Sequence, residues 1–329
     1  MSAEPRPSRR KRVFFYRDYQ RFQGGHLKVW NYFQHVAASG THEPRIHLSA
    51  NSRMESDNPW SDIPEEWRLR SWNPEAADVL FLAGLDWQQV PLSNQTPTIN
   101  LIQHVRHGDQ GDPRCAYLGR PALRICVSDE IREAILSTGL VNGPVVTIPN
   151  GLDLPQLDHN RHKQEDRILI IGMKNPGFAT ALAWHLNALG IDSDLVTEAL
   201  PRSLFLETMA RFQVVITLPQ EREGFYLPAL EAMALNSIVI CPDCEGNRDF
   251  CLDGINAFRP SYRMEAVVQA TLTARGLTPG QKKALLMEGQ KTALQHSLFK
   301  EREAFLPLLR GLGRGWDPMI KPSGAEAPS

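Results

Sequence analysis

The stretch Glu221-Arg222-Glu223-Gly224-Phe225-Tyr226-Leu227-Pro228-Ala229-Leu230-Glu231-Ala232-Met233-Ala234-Leu235-Asn236-Ser237 decides how the rest of the chain is read. The apolar run Val214 to Leu218 before it reads as a buried strand, and Pro228 to Leu235 reads as a helix with proline at its first position. The loop between them feeds a helix N-terminus, where unpaired backbone N–H groups and the positive end of the helix dipole suit a phosphate or diphosphate. Glu223 on the loop and Glu231 one turn into the helix are out of keeping with a phosphate alone, which carboxylates repel. They fit a ligand that also carries hydroxyls, because a carboxylate accepts two hydrogen bonds from a vicinal diol. A sugar joined to a nucleotide through a diphosphate has hydroxyls at both ends and negative charge in the middle.

The pattern Glu-Gly-aromatic-x-Leu-Pro-x-Leu-Glu-Ala-Met-Ala, with seven residues between Glu223 and Glu231, resembles the signature of the family 4 glycosyltransferases of the GT-B fold. The resemblance runs on through Ser237 to Cys241, similar to the following strand of that family, and through Gly246-Asn247-Arg248-Asp249, similar to its next ligand-side loop. It implies that Glu223 faces the donor sugar, that Glu231 holds the ribose, and that Gly224, Phe225, Tyr226 and Leu227 form the nucleotide-binding turn between them. The competing reading is an ordinary strand-loop-helix with two solvated glutamates.

With 329 residues the chain has room for two domains of ordinary size. Apolar residues at 42%, charged residues at 22% and a net charge of -1 are those of a globular protein with no electrostatic reason to bind nucleic acid. The longest apolar runs, such as Val79 to Leu85, are too short to span a bilayer, and no signal-peptide pattern is visible. Five cysteines, an odd number without framework spacing, fit a reducing cytosol. Cys241-Pro242-Asp243-Cys244 invites a metal or redox reading, but no second ligand pair follows at zinc spacing, so no metal is expected.

Residues 1–11 read as a polar, basic, flexible tail, a solubilising arm or alternatively a peripheral contact with anionic lipid. Arg12 to Tyr16 reads as the first strand, and Gly24-Gly25-His26 opens a first helix. A glycine pair at that junction lets a ligand approach the backbone. The family resemblance places such a pair near the donor phosphates and the acceptor, which makes Gly24 and Gly25 candidate binding residues. Further strands are expected at Arg45 to Leu48, Asp78 to Leu82, Thr98 to Gln103, Leu123 to Val127 and Val145 to Ile148, with a helix capped by Ser128. Alternating strands and helices predict a parallel, doubly wound sheet, whose ligands bind beyond the carboxyl ends of the strands. His104 stands at such an end, and the resemblance implies a contact with the donor sugar or the acceptor. The alternative, for His104 and for His107 as well, is a hydrogen-bonded structural imidazole. The polar loop Arg106 to Pro113, with Gly108 and Gly111, is read as a segment able to move over the site.

Ile148-Pro149-Asn150-Gly151-Leu152-Asp153 is turn chemistry and resembles the segment that closes the first domain in the family. The exposed composition of Asp158 to Asp166 puts the boundary near 158. A second α/β domain is expected over 159–310, its last helix able to cross back onto the first domain, and a flexible tail over 311–329. After Gly172 the sequence departs from the family, which has an Arg directly after this glycine and a Lys five residues on; here stand Met173 and Phe178. Lys174 is the nearest substitute, with Arg248 or Arg222 as a second cation. Asp192-Ser193-Asp194 spells a metal-binding DxD but enters a strand after a helix-ending glycine, so it reads as a solvated turn.

The reading is therefore an α/β chain of two Rossmann-like doubly wound domains facing across a cleft, the GT-B architecture, comprising 12–158 on the acceptor side and 159–310 on the nucleotide-sugar side. The resemblance implies a hexosyltransferase-type enzyme that moves a sugar from a nucleotide-diphosphate donor to a glycan or lipid-linked acceptor, with retention and without metal or separate cofactor. Glu223, His104 and Lys174 are the catalytic candidates. The setting implied is cytoplasmic, with peripheral contact at the inner face of the membrane as an option, and bacterial surface polysaccharide synthesis as the role. The rivals are a sugar-nucleotide epimerase and a non-catalytic nucleotide-sugar-binding scaffold, the latter favoured by the missing Arg after Gly172.

Overall fold

Four consecutive apolar residues, Ile168 to Ile171, are each buried to within 1% of complete, yet a strand points successive side chains to opposite faces. Both faces of this sheet must therefore be covered, the condition under which parallel strands lose the alternating pattern. A computed structural model describes residues 9–21, 24–55, 57–153 and 163–312. It divides into two compact units, Met1–Ile148 with Glu301–Ser329, and Pro149–Lys300. The expected boundary at 158 and most of the expected tails, all but 9–11 and 311–312, lie outside the described residues.

In the first unit, β1 (Lys11–Arg17), β2 (His42–Leu48), β3 (Val79–Ala83), β4 (Thr98–Ile102), β5 (Leu123–Cys126) and β6 (Val145–Thr147) form one parallel sheet in the order β2-β1-β3-β4-β5-β6. Helix α1 (Gly24–Ala37) lays Tyr32 and Phe33 on one face, where Phe15 and Phe81 stack at 4.9 Å. The other face buries Phe14, Leu80, Leu82 and Trp87. Helix α2 (Asp129–Leu136) starts at Ser128, whose hydroxyl accepts from the Ile131 N–H at 3.4 Å. The segment expected to move over the site begins with regular structure. Val105–Gly108 is a 3-10 turn, and a Cβ on Gly108 would stand 2.4 Å from the Ala134 carbonyl, so this glycine lets the turn seat against α2.

The second unit holds β7 (Gln164–Ile171), α3 (Pro176–Ala188), β8 (Ser193–Val196), α4 (Arg202–Ala210), β9 (Phe212–Thr217), α5 (Leu227–Ala234), β10 (Ile238–Ile240), α6 (Met264–Arg275) and α7 (Pro279–Gln295). Its sheet is parallel in the order β10-β9-β7-β8. Ile168, Ile170, Val214, Ile216, Ile238 and Ile240 meet Leu182 and Leu186 of α3 on one face, while Leu169, Ile171, Val215 and Val239 meet Leu206, Met209, Ala229 and Met233 of α4 and α5 on the other. Strand β7 starts earlier than the connector composition suggested, because Gln164 already pairs with Phe212. Helix α8 (Leu298–Gly311) passes from the second unit into the first. In the first unit its Glu301 is buried against Lys28 and, at 3.1 Å, His35 of α1. Among the described residues no helix is long and apolar enough to cross a membrane.

Candidate functional site

In each sheet the strand order reverses direction once: between β1 and β3 in the first unit, and between β7 and β9 in the second. Diverging connections leave a crevice at the carboxyl ends of such neighbours, the place where open α/β sheets bind ligands. In the second unit Gly172-Met173-Lys174 leaves β7 and Leu218 to Gly224 leaves β9 at that reversal. Lys174 Nζ stands 3.4 Å from Glu223 Oε1, an ion pair with the lysine half exposed and the carboxylate largely covered. The same Glu223 oxygen accepts from the Gln220 N–H at 3.2 Å, which fixes the carboxylate against its own loop. Asn175 Nδ2 donates to the Tyr262 hydroxyl at 3.4 Å, and that hydroxyl donates to the Pro219 carbonyl at 2.7 Å. The two loops that flank the crevice are thus tied by one hydrogen-bonded chain.

The turn into α5 is held from below. Tyr226 donates its backbone N–H to the Gly246 carbonyl at 2.8 Å, and a Cβ on Gly246 would lie 2.8 Å from the Phe225 nitrogen and 3.0 Å from Glu223 Cβ. Glycine is required there because two backbones touch. Phe225 stacks on Phe250 at 4.9 Å and lies 5.6 Å from the His296 ring. Tyr226 is 3% exposed and buried in the core beneath the sheet, so its side chain packs rather than faces a ligand. Helix α5 begins at Leu227, one residue before the expected proline start, and Tyr226 gives no side-chain cap. Of the turn residues expected to bind, Gly224 to Leu227 are brought to the crevice edge by their backbone, whereas the Phe225, Tyr226 and Leu227 side chains belong to the packing.

Glu231 is 1% exposed, and its Oε1 lies 2.6 Å from Nη2 of Arg202, the first residue of α4. The approach lacks the alignment of a hydrogen bond, and both carboxylate oxygens are without one. Glu231 is therefore charge-compensated with its acceptor capacity open, a state suited to a diol. Arg202 escaped the sequence reading. Only the tertiary neighbourhood of α4 and α5 reveals it, and no local pattern around Pro201-Arg202 signals a ligand. The cations named from sequence are engaged elsewhere: Arg248 with Asp243 at 2.7 Å and Arg222 with Glu245 at 3.9 Å. Asp194 of the DxD pairs with Arg167 of neighbouring β7.

The first-unit candidates gather at the other reversal. Gly24 and Gly25 open α1 on the surface, and Gln103, at the end of β4, donates to the Gly25 carbonyl at 3.3 Å. His104 Nδ1 accepts from the Arg106 N–H at 3.2 Å, so this imidazole caps the 3-10 turn, and its neutral form carries the proton on Nε2. His107 is 5% exposed, and burial drives its pKa down to about 3, an imidazole that stays neutral. Asp86 is pushed up to about 6 by burial, against the pull of Arg17 at 3.0 Å and the Ala83 N–H.

No family model matches the chain, and no curated protein matches it. Solved structures do. HepE of Anabaena in complex with UDP and glucose superposes with a TM-score of 0.69, covering 92% of this chain and 100% of that one at 13% identity. Sucrose-phosphate synthase of Thermosynechococcus elongatus gives 0.66 over 92% and 98%, also at 13% identity. The pneumococcal O-GlcNAc transferase GtfA in complex with UDP and GlcNAc gives 0.54 over 71% of this chain and 56% of that one, at 14% identity. The chain shares the Rossmann-like α/β fold of these GT-B proteins.

Proposed function

We propose that the protein is a glycosyltransferase that moves a hexose from a nucleotide-diphosphate donor to a glycan or lipid-linked acceptor. The observation that carries this is the pair of carboxylates at the β7/β9 reversal, each matched by one cation: Glu223 with Lys174, and the buried Glu231 with Arg202. Four charges in this order balance to zero when empty. A diphosphate can draw on Lys174 while sugar and ribose hydroxyls take the carboxylates. Glu231 then holds the ribose and Glu223 orients the donor sugar, with Lys174 toward the departing diphosphate and Gly224 and Leu227 presenting backbone. Gly24, Gly25 and His104 are the acceptor-side candidates of the first unit. The solved structures that share the fold support the reading, since two of the three hold UDP. Retention of configuration, independence of metal, a cytoplasmic setting with peripheral membrane contact, and a role in bacterial surface polysaccharide belong to the same proposal and rest on the sequence resemblance.

The deciding experiment compares wild type with Glu223→Gln, which keeps the shape of the side chain and removes its charge. Transfer or donor hydrolysis is expected to fall about a hundredfold or more, in line with what positioning contributes in active sites, while UDP affinity stays within about twofold. Equal turnover at equal affinity would remove Glu223 from the mechanism. Release of a free sugar with no acceptor dependence would favour an epimerase, and nucleotide binding without turnover a scaffold.

A further inference from the structure

A carboxylate removed from water takes up a proton unless a positive charge stands beside it. Glu231, at 1% exposure, is in that position, and Arg202 is its one ion-pair partner among the described residues. The guanidinium stays protonated at any working pH. It reaches Glu231 from α4, a different element on the same sheet face, and its side chain is itself 31% exposed at the rim. Because the 2.6 Å approach is not aligned as a hydrogen bond, the charge is neutralised while both oxygens remain open acceptors.

We propose that Arg202 is the positioning residue of the diol subsite, keeping Glu231 ionised in a dry location so that it can accept from the two ribose hydroxyls. This rests on the reading of Glu231 as the ribose carboxylate. Other titratable groups surround α5: Glu223 and Tyr226 before it, Cys241 and Cys244 after β10, Tyr262, and His296 after α7. Burial raises Tyr226, Cys244 and Tyr262 and lowers His296. Burial also pushes the Cys241 thiol up, but neighbouring polar groups, with Asn247 Nδ2 donating to its sulfur at 3.1 Å, bring it below its ordinary value. All of these are the same in wild type and in an Arg202 variant, so the difference between the two proteins reports on the Arg202–Glu231 pair.

The test titrates uridine and UDP into wild type, Arg202→Gln and Arg202→Lys between about pH 6 and about pH 8.5, a window centred above the ordinary carboxylate range. Wild type and Arg202→Lys are expected to bind uridine with little pH dependence, and UDP with the same pH course in both, since its terminal phosphate itself titrates near the acid end. Arg202→Gln is expected to lose about tenfold or more at the acid end and to recover as pH rises, since a dry carboxylate deprived of its neighbouring cation holds a proton that must leave before a diol can donate to both oxygens. The loss should be equal for uridine and UDP. A loss confined to UDP would assign Arg202 to the phosphates, and a pH-independent loss that lysine does not restore would make it merely structural; either overturns the proposal, as does unchanged binding. Should Arg202→Gln alone not fold, the same substitution is made in a Glu231→Gln background, where no buried carboxylate is left without a counter-charge. There it must have no further effect on uridine affinity, and any further loss overturns the proposal. If wild type binds none of the common nucleoside diphosphates, the functional reading itself falls, an outcome distinct from wild-type binding that Arg202 leaves untouched.

Discussion

Glu231 and Glu223 differ in what removing them should do, because one is buried on a helix beside Arg202 and the other sits on a loop. Glu231→Ala deletes the acceptor for two hydroxyls and leaves Arg202 uncompensated, so nucleoside diphosphate binding is expected to weaken by about 1.5–3 kcal/mol, the range of charge-assisted hydrogen bonds. Calorimetric titration with UDP checks this, and undiminished affinity would move the ribose to another residue. The histidines of the first unit respond to pH instead. His107 titrates at about 3 when folded, lowered by burial, and near the ordinary 6.5 when unfolded. Between those values the unfolded chain binds the extra proton, so stability rises with pH, and its contribution is lost as pH falls below about 6.5. Asp86, raised to about 6, acts in the opposite sense over an overlapping window. Total stability mixes these with other shifted groups, His26 and His42 among them, each lowered to about 4 by burial, but His107→Gln is expected to flatten the acid-side fall in melting temperature relative to wild type. Identical slopes in the two proteins would show that His107 is not neutral in the fold.

At the scale of elements, the end of α5 carries a small strain. Asn236 is the one non-glycine residue with positive φ, at 60°, among the described residues, and its N–H closes on the Met233 carbonyl at 3.0 Å just past the helix. Asparagine tolerates the left-handed conformation better than other side chains, yet glycine adopts it freely. Asn236→Gly is expected to stabilise the protein by about 0.5 kcal/mol despite the added freedom of the unfolded chain, read as a higher denaturation midpoint at unchanged slope. A lower midpoint would mean that the asparagine side chain holds something the backbone angle does not reveal. Close approaches act the other way: a Cβ on Gly172 would meet that of Ala179 at 2.2 Å, and one on Gly151 would meet the backbone of Leu298 at 2.8 Å. These glycines let α3 and the start of α8 lie against their neighbours.

At the scale of the whole molecule, the first unit is built from both ends of the chain. Glu301 of α8 is 3% exposed between Lys28 and His35, and Phe305 meets the Tyr32 ring edge-on at 4.9 Å. Glu301→Ala removes the carboxylate that faces the buried Lys28 ammonium and is expected to cost about 3–5 kcal/mol. Removing both charges, as in Lys28→Met with Glu301→Leu, is expected to cost markedly less, because neither ion is then left dry. Chemical denaturation of the three proteins checks the order. If the double variant is as unstable as the single one, the cluster matters through its packing and not through its charge.

The sequence by itself determined the α/β rhythm, the doubly covered strands and the carboxylate-bearing loop at a helix start, since each rests on local periodicity, capping and spacing. The Ser128 cap was readable for the same reason. What only the tertiary structure decided are relations between elements distant in the chain. Arg202 reaches Glu231 across twenty-eight intervening residues. Tyr226 turns inward to the core, His104 serves as a cap, and α8 carries Glu301 back to Lys28. Local pattern fixes which side chains face inward, but a charge paired across two helices depends on how those helices stack on one sheet face, and no window of sequence contains both.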